Sequence, residues 1–248
     1  MTIAIPRIVG HRGARGEAPE NTLPAFSLAR DLGIGEVELD VHLSSDDQLV
    51  VIHDNTLQRT TGEKGQVRHH TAQQLGSLDA RVGTPGWPSP TGIPSLHEVV
   101  ACCGPQMHFQ FEVKSAGIRT LRRLAAQLVA LIEEQQLASR VIVTSSHTGL
   151  LELVGKLAPD LQRGYVGEYR HSRPARRAAE LGCGWVMPRH QLVDAALMQR
   201  AHHRRLKVSA WTVNDVNEAR RLMALGVDSI ITDFPTRLAA SREQGFTS

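Results

Sequence analysis

Short β-branched runs alternate with helical periods along nearly the whole chain, and this alternation leaves few folds open. Strands are read at Arg7–Gly10, Glu36–Val41, His108–Val113, Val141–Ser145, Gly164–Gly167, Trp185–Pro188, Lys207–Val213 and Asp228–Thr232. Helices are read between them at Leu23–Leu32, Arg119–Gln136 and near 148–157, 174–181, 193–205 and 215–225, with a short last one near Arg237. The Asn21-Thr22 pair is read as cap chemistry for the first helix. Strands separated by helices pair in parallel through right-handed crossovers. Eight such strands close a barrel, so the expected fold class is α/β, a (β/α)8 TIM barrel. The 248 residues are an ordinary length for one such unit, and 1–248 is read as a single domain.

A further strand, Val50–His53, follows Glu36–Val41 with no room for a helix between them. A parallel crossover needs about a dozen residues or more, so these two form an antiparallel hairpin. A turn centred between Asp46 and Asp47 sets Asp40 opposite His53, and a one-residue slip would turn His53 away. Residues 54–105 then interrupt the alternation with many glycines and prolines and one short helix, Ser95–Cys102. They are read as a small insertion between strands 2 and 3 of the barrel, lying over its mouth. Unstructured stretches of that length are usually functional or mobile.

Barrel enzymes keep their chemistry at the C-terminal ends of the strands. Strand one ends in His11-Arg12, strand two carries Glu38 and Asp40, and the strand from His108 carries Glu112 and Lys114. Alternation puts Glu38 and Asp40 on one face of their strand and Glu112 and Lys114 likewise on one face of theirs, and this charged face is expected to look into the barrel mouth. Each pattern alone is commonplace on a solvated strand or turn. Together they gather three carboxylates, two cations and two imidazoles, His11 and His53, at one rim. Three close carboxylates must protonate, pair with cations or bind a metal. Oxygen ligands suit Mg²⁺ or Ca²⁺. Trp211, Asn214 and Asp233 fall at the same rim, with Trp211 either a pocket wall or core.

Composition narrows the partners. A net charge of +3 and 4% aromatics do not make a basic groove with stacking platforms, so nucleic acid is not expected. Cys102, Cys103 and Cys183 have neither zinc nor disulfide spacing, and reduced thiols in the cytoplasm are expected. Residues 1–7 lack the apolar core of a signal peptide, and no run approaches the ~18 apolar residues of a membrane span. A cytoplasmic protein without stable membrane association is expected. Oligomeric state is left open. The arginine-rich stretches 170–177 and 200–207 read as solvated helix faces.

Several motifs, in order along the chain, resemble the glycerophosphodiester phosphodiesterases. They are His11-Arg12-Gly13, Pro19-Glu20-Asn21-Thr22, Glu38-Leu39-Asp40-Val41, His53-Asp54 with Leu57 and Arg59-Thr60, Pro94-Ser95-Leu96 with Glu98, Glu112-Val113-Lys114, Trp211-Thr212-Val213-Asn214 and Thr232-Asp233. Ser95 stands where threonine is usual. The resemblance implies a phosphodiesterase barrel with a small insertion. It implies that Glu38, Asp40 and Glu112 bind one divalent cation, that His11 and His53 act as general acid and base, and that Arg12 and Lys114 hold the phosphate. The implied reaction is hydrolysis of a glycerophosphodiester to sn-glycerol 3-phosphate and an alcohol such as choline, ethanolamine or glycerol. Which histidine is the acid stays open, as does attack by water or by the glycerol C2 hydroxyl. A lipid-cleaving phospholipase D of the same superfamily is disfavoured by the missing leader and the lack of an apolar loop. A silent binding barrel is disfavoured because no histidine or carboxylate is lost.

Overall fold

The computed structural model describes residues 6–114 and 117–243. Residues 1–5, read above for a leader, lie outside them. Among the described residues, no helix is long and apolar enough to cross a membrane.

The chain opens with β1 (Arg7–His11), α1 (Leu23–Asp31), β2 (Glu36–Leu43) and β3 (Leu49–Val51). Three helices follow: α2 (Gln58–Thr61), α3 (Ala72–Gly76) and α4 (Leu96–Cys103). Regular alternation then runs through β4 (His108–Val113), α5 (Ile118–Glu134), β5 (Val141–Ser145), α6 (Thr148–Leu157), β6 (Gln162–Gly167) and α7 (Pro174–Glu180). It ends with β7 (Trp185–Pro188), α8 (Ala195–His203), β8 (Lys207–Ala210), α9 (Val216–Leu225), β9 (Ser229–Thr232) and α10 (Pro235–Glu243). Around the sheet the order is β1-β9-β8-β7-β6-β5-β4-β2, and β1 pairs with β2 to close it. Every pairing in that ring is parallel. The expected eight-stranded barrel is therefore the fold, with β3 hung on β2 as an antiparallel ninth strand.

Helices cover the outer face of the sheet, so the strands bury side chains on both faces. β2 is buried at seven of its eight positions. α5 shows how the outer ring is made: Leu121, Leu124, Ala125, Leu128, Val129 and Ile132 recur at helical spacing and are all buried. Phe109 and Phe111 of β4 are fully buried, with ring centroids 5.4 Å apart.

Three local expectations change. The β2–β3 register pairs Val41 with Val51 and Leu43 with Leu49, so the turn centres on Asp46 and Ile52 faces Asp40. Asp47, in the left-handed region at φ 60°, takes the tight return. His53 is thus one residue past its expected partner. It still reaches the barrel mouth, because β3 ends at Val51 and the strand alternation no longer dictates its direction. Thr22 is the N-cap of α1 but makes no side-chain cap; its hydroxyl donates to the Pro19 carbonyl, and Pro24 supplies the pre-set first turn.

The interruption holds more structure than one helix. α3 begins with a reciprocal Thr71–Gln74 cap, and a separate apolar cluster joins Val50, Ile52, Leu57, Val67, Leu75, Ala80 and Ile93. α2 and α3 are too short to show a readable helical period. α4, opened by a Ser95–Glu98 capping box, packs on α1 and belongs to the outer ring. Arg30 of α1 donates to the Cys102 carbonyl there.

The first βα turn is tightly closed. Arg12 (φ 51°) and Gly13 (φ 83°) are both left-handed, which folds the chain back so that a Cβ on Gly10 would collide with the Gly13 carbonyl oxygen. That collision involves backbone and cannot be relieved by a rotamer. Gly10→Ala is expected to lower stability by about 1–3 kcal/mol in urea titrations, with Gly33→Ala, a left-handed but sterically open site, as the comparison for backbone strain alone.

Candidate active site

Each expected site residue reaches the barrel mouth through its own strand. Asp40 on β2 pairs in register with Glu112 on β4, so their side chains leave adjacent strands at one level. Glu38 sits one inward-facing position below Asp40. One oxygen from each of the three carboxylates lies within 4.8 Å of the others. His11, Arg12, Glu38, His53, Glu112, Lys114 and Trp211 all line one pocket of about 330 Å³. Asp40 lies beneath it, fully buried.

Burial makes this charge cluster costly, and the surrounding cations answer it. Lys114 Nζ stands 2.8 Å from Asp40 Oδ1 and 2.8 Å from Glu112 Oε1. Arg12 Nε is 3.1 Å from Asp40 Oδ2, and its Nη1 donates to Glu20 Oε1. Burial pushes the Asp40 carboxyl up, but Lys114 and Arg12 overcome it and hold Asp40 ionised well below the usual carboxylate range. Glu38 goes the other way: burial, then the charges of Asp40 and Glu112, raise its pKa well above normal. Its Oε2 accepts from the Arg12 backbone N–H, while its Oε1 is buried without a hydrogen-bond partner. A buried orphan oxygen beside two more carboxylates is the donor set of a hard divalent cation. Glu38, Asp40 and Glu112 fit one.

Both imidazoles are held through Nδ1 by a carboxylate. His11 Nδ1 lies 2.5 Å from Asp233 Oδ1, and His53 Nδ1 lies 2.6 Å from Asp54 Oδ1. Donation from Nδ1 leaves Nε2 as the atom free to exchange a proton. His11 Nε2 is 3.8 Å from Glu38 Oε2. Burial, the largest influence on His11, lowers its pKa despite the bond to Asp233.

Several residues given no role at the site from sequence build the frame around these groups, among them Asn21, read from sequence only as a helix cap. Asp233 Oδ2 accepts from Asn214 Nδ2, whose own Oδ1 accepts the Asp233 N–H. Asn21 Nδ2 donates to Asp40 Oδ2. Arg59 ties Asp54 to Glu20, and Glu20 in turn takes Arg12. Glu20, Asn21, Asp54 and Asp233 were visible as motif residues. Asp54 meets His53 and Arg59 locally, but the partners Arg59 of Glu20, Asp40 of Asn21 and His11 of Asp233 lie in distant segments, and spacing carries no signal for that.

This network has an acid limit. Burial raises the Glu20 carboxyl, but its bonds to Arg59 and Arg12 overcome that and bring it to about 2, below the ordinary 4.5. The unfolded chain therefore binds more protons between those values, so the contribution is complete above about pH 4.5 and is lost as pH falls toward 2. Urea midpoints should decline through that window. Glu20→Gln should flatten the decline and cost about 2–3 kcal/mol at pH 7, measured as the same midpoints.

Comparison with known proteins identifies the group. The model of the glycerophosphoryl diester phosphodiesterase family matches residues 11–237. A glycerophosphodiester phosphodiesterase of Caldanaerobacter subterraneus subsp. tengcongensis is 33% identical, over 93% of this chain and 95% of its own. One from Bacillus altitudinis is 31% identical, over 96% and 98%. Among solved structures, an Oleispira antarctica phosphodiesterase in complex with the product sn-glycerol-3-phosphate superposes with TM-score 0.88 at 28% identity, covering 96% of this chain and 97% of that one. A glycerophosphodiester phosphodiesterase of Agrobacterium tumefaciens gives TM-score 0.82 at 26% identity, covering 95% and 99%. With the barrel, the acidic cluster and the paired imidazoles, these matches mark the chain as an enzyme belonging to the glycerophosphoryl diester phosphodiesterase family.

Proposed function

We propose that this enzyme hydrolyses glycerophosphodiesters to sn-glycerol 3-phosphate and an alcohol, with His11 and His53 as the acid–base pair and Glu38, Asp40 and Glu112 as ligands of one divalent cation. The observation that carries the reading is the pair of imidazoles, each braced at Nδ1 by a carboxylate, in one pocket with three converging acids. The product named for the Oleispira relative, sn-glycerol-3-phosphate, supports the same chemistry.

A phosphodiester carries negative oxygens into a pocket that already holds acids, so cations must receive it. Arg12 and Lys114 line that pocket and stand ready for the phosphoryl oxygens. Bound Mg²⁺ or Ca²⁺ would add charge stabilisation for the phosphoryl group. One imidazole removes, at its Nε2, the proton of the attacking hydroxyl. The other protonates the leaving alkoxide from its own Nε2. Attack by water gives sn-glycerol 3-phosphate directly. Attack by the glycerol C2 hydroxyl gives a cyclic phosphate, which a water then opens to the same product with the two imidazoles exchanging roles. Asp233 and Asp54 are positioning residues: each fixes a tautomer and a ring direction. We read the whole chain as one catalytic unit, with the segment from Asp54 over the mouth. It supplies Asp54 and Arg59 to the His53 side of the site.

Release of sn-glycerol 3-phosphate from glycerophosphoethanolamine and glycerophosphocholine, followed with a coupled dehydrogenase, tests the reading. Activity should require Mg²⁺ or Ca²⁺ and vanish in excess EDTA. His11→Ala and His53→Ala should each lose about 10²–10⁴-fold in kcat with unchanged circular dichroism; near-normal turnover in both would sink the assignment. Asp233→Asn is expected to lower kcat more than it changes KM. Removing that charge lowers the His11 pKa, so the limb of the pH–rate profile owed to His11 moves to lower pH. Movement of the acidic limb makes His11 the base, and movement of the alkaline limb makes it the acid.

A further inference from the structure

Three charged groups in the pocket play no part in that chemistry, and one of them, Arg15, is already paired with Glu20 and Asp233. The other two are Glu168 and Arg189. Glu168 follows β6 and Arg189 follows β7. These strands are parallel neighbours with Gly167 opposite Pro188, so the two residues emerge side by side at the mouth. Strand alternation sends Glu168 the same way as Val166, and Arg189 the same way as Met187, and all four line the pocket. Their chain neighbours are paired, Arg170 with Asp194 and His190 with Glu218. Among the described residues, Glu168 and Arg189 have no ion-pair partner. Arg189 lies instead over the Trp211 ring, with Cζ 5.1 Å from its centroid. The indole is pinned from below by its Nε1, which donates to the Met187 carbonyl.

The barrel order places this wall opposite the acids. β7 stands halfway round the ring from β2, and β8 halfway round from β4. A phosphodiester whose phosphorus lies over the acidic cluster therefore presents one of its two arms to Glu168, Arg189 and Trp211. What those groups accept is constrained by charge. A quaternary ammonium takes the open face of an aromatic ring. Here the Arg189 guanidinium already occupies one face of the Trp211 ring, and its positive charge beside the indole repels a second cation. A carboxylate, by contrast, takes two parallel bonds from a guanidinium. The adjacent Glu168 carboxylate complements an ammonium on the same headgroup.

We propose that Glu168, Arg189 and Trp211 form the subsite for the leaving alcohol, and that it takes a headgroup bearing both an ammonium and a carboxylate, the chemistry of serine. This rests on the phosphodiesterase reading above. The subsite selects and does not catalyse, so its signature is a ratio between substrates.

Steady-state kinetics on the metal-loaded enzyme with glycerophosphoserine, glycerophosphoethanolamine, glycerophosphocholine and glycerophosphoglycerol would test it. The serine ester should exceed the choline ester about tenfold or more in kcat/KM. Arg189→Ala should erase most of that ratio, and Arg189→Lys should keep part of it. Glu168→Gln should lower the serine and ethanolamine esters relative to the glycerol ester. Both positions face the pocket mouth, and circular dichroism verifies the fold of each variant. A wild-type enzyme that turns over the choline ester as well as the serine ester overturns the subsite alone. So does an Arg189→Ala variant that keeps the ratio. No sn-glycerol 3-phosphate from any ester, with folded protein and metal present, overturns the phosphodiesterase reading and the subsite with it.

Discussion

The structure depends on how it tolerates negative charge at the ends of two neighbouring strands. Asp40 and Glu112 stand in register on β2 and β4, and Glu38 sits behind them. In a medium that screens poorly, three such groups cannot all stay ionised alone. Lys114 leaves β4 just past Glu112 and bridges it to Asp40, so the strand that brings one acid also brings the cation that answers it. Arg12 must come from elsewhere, and the left-handed turn at Arg12 and Gly13 swings it over Asp40. Only a residue without a side chain at position 10 lets that turn close. Backbone geometry at β1 and electrostatics at β2 are thus one constraint. The compensation is incomplete at Glu38, where an oxygen stays unpaired, and that residual demand is what a divalent cation would meet.

The imidazoles extend the same logic outward. Asp233 approaches His11 from the end of β9, and Asn214, from the segment after β8, holds Asp233 from the other side. Asp54 approaches His53 from the next residue and is held by Arg59. Arg59 also binds Glu20, which binds Arg12. A chain of charge-assisted bonds therefore runs from the His53 side to the guanidinium over Asp40. Loss of Glu20 would remove the anion shared by Arg12, Arg15 and Arg59 and leave Arg12 to Asp40 and Arg59 to Asp54 alone, so the network acts as a unit and not as a sum of pairs.

Much of this was legible in the sequence, and what was not has a physical cause. The barrel follows from period: β-branched runs and the helical spacing of Leu121, Leu124, Leu128 and Ile132 are local signals. The three carboxylates and two cations were legible because strand ends are where barrels gather side chains. The β2–β3 register was not, since two aspartates in a row allow either as the turn centre, and only the left-handed Asp47 decides it. The short helices α2 and α3 were missed because four or five residues hold barely one turn. The bracing of His11 by Asp233 joins residues at opposite ends of the chain. No spacing rule reaches that far; it exists only because β1 and β9 pair to close the ring.

That closure also divides the pocket into two kinds of wall. β1, β2 and β4 carry groups tied to one another by short ionic contacts, so a change in any of them propagates to the rest. After β6 and β7 the ionic contacts lie outside the pocket, Arg170 with Asp194 and His190 with Glu218, while among the described residues Glu168 and Arg189 have no ion-pair partner. Loops at this end of a barrel vary without disturbing the sheet beneath. A substitution on that side alters what the pocket admits while the acids, their cations and the braced imidazoles keep their geometry. The coupling that makes the β1–β2–β4 wall chemically capable is the same coupling that forbids it to vary. Discrimination between alcohols is therefore left to the wall with the weaker ties.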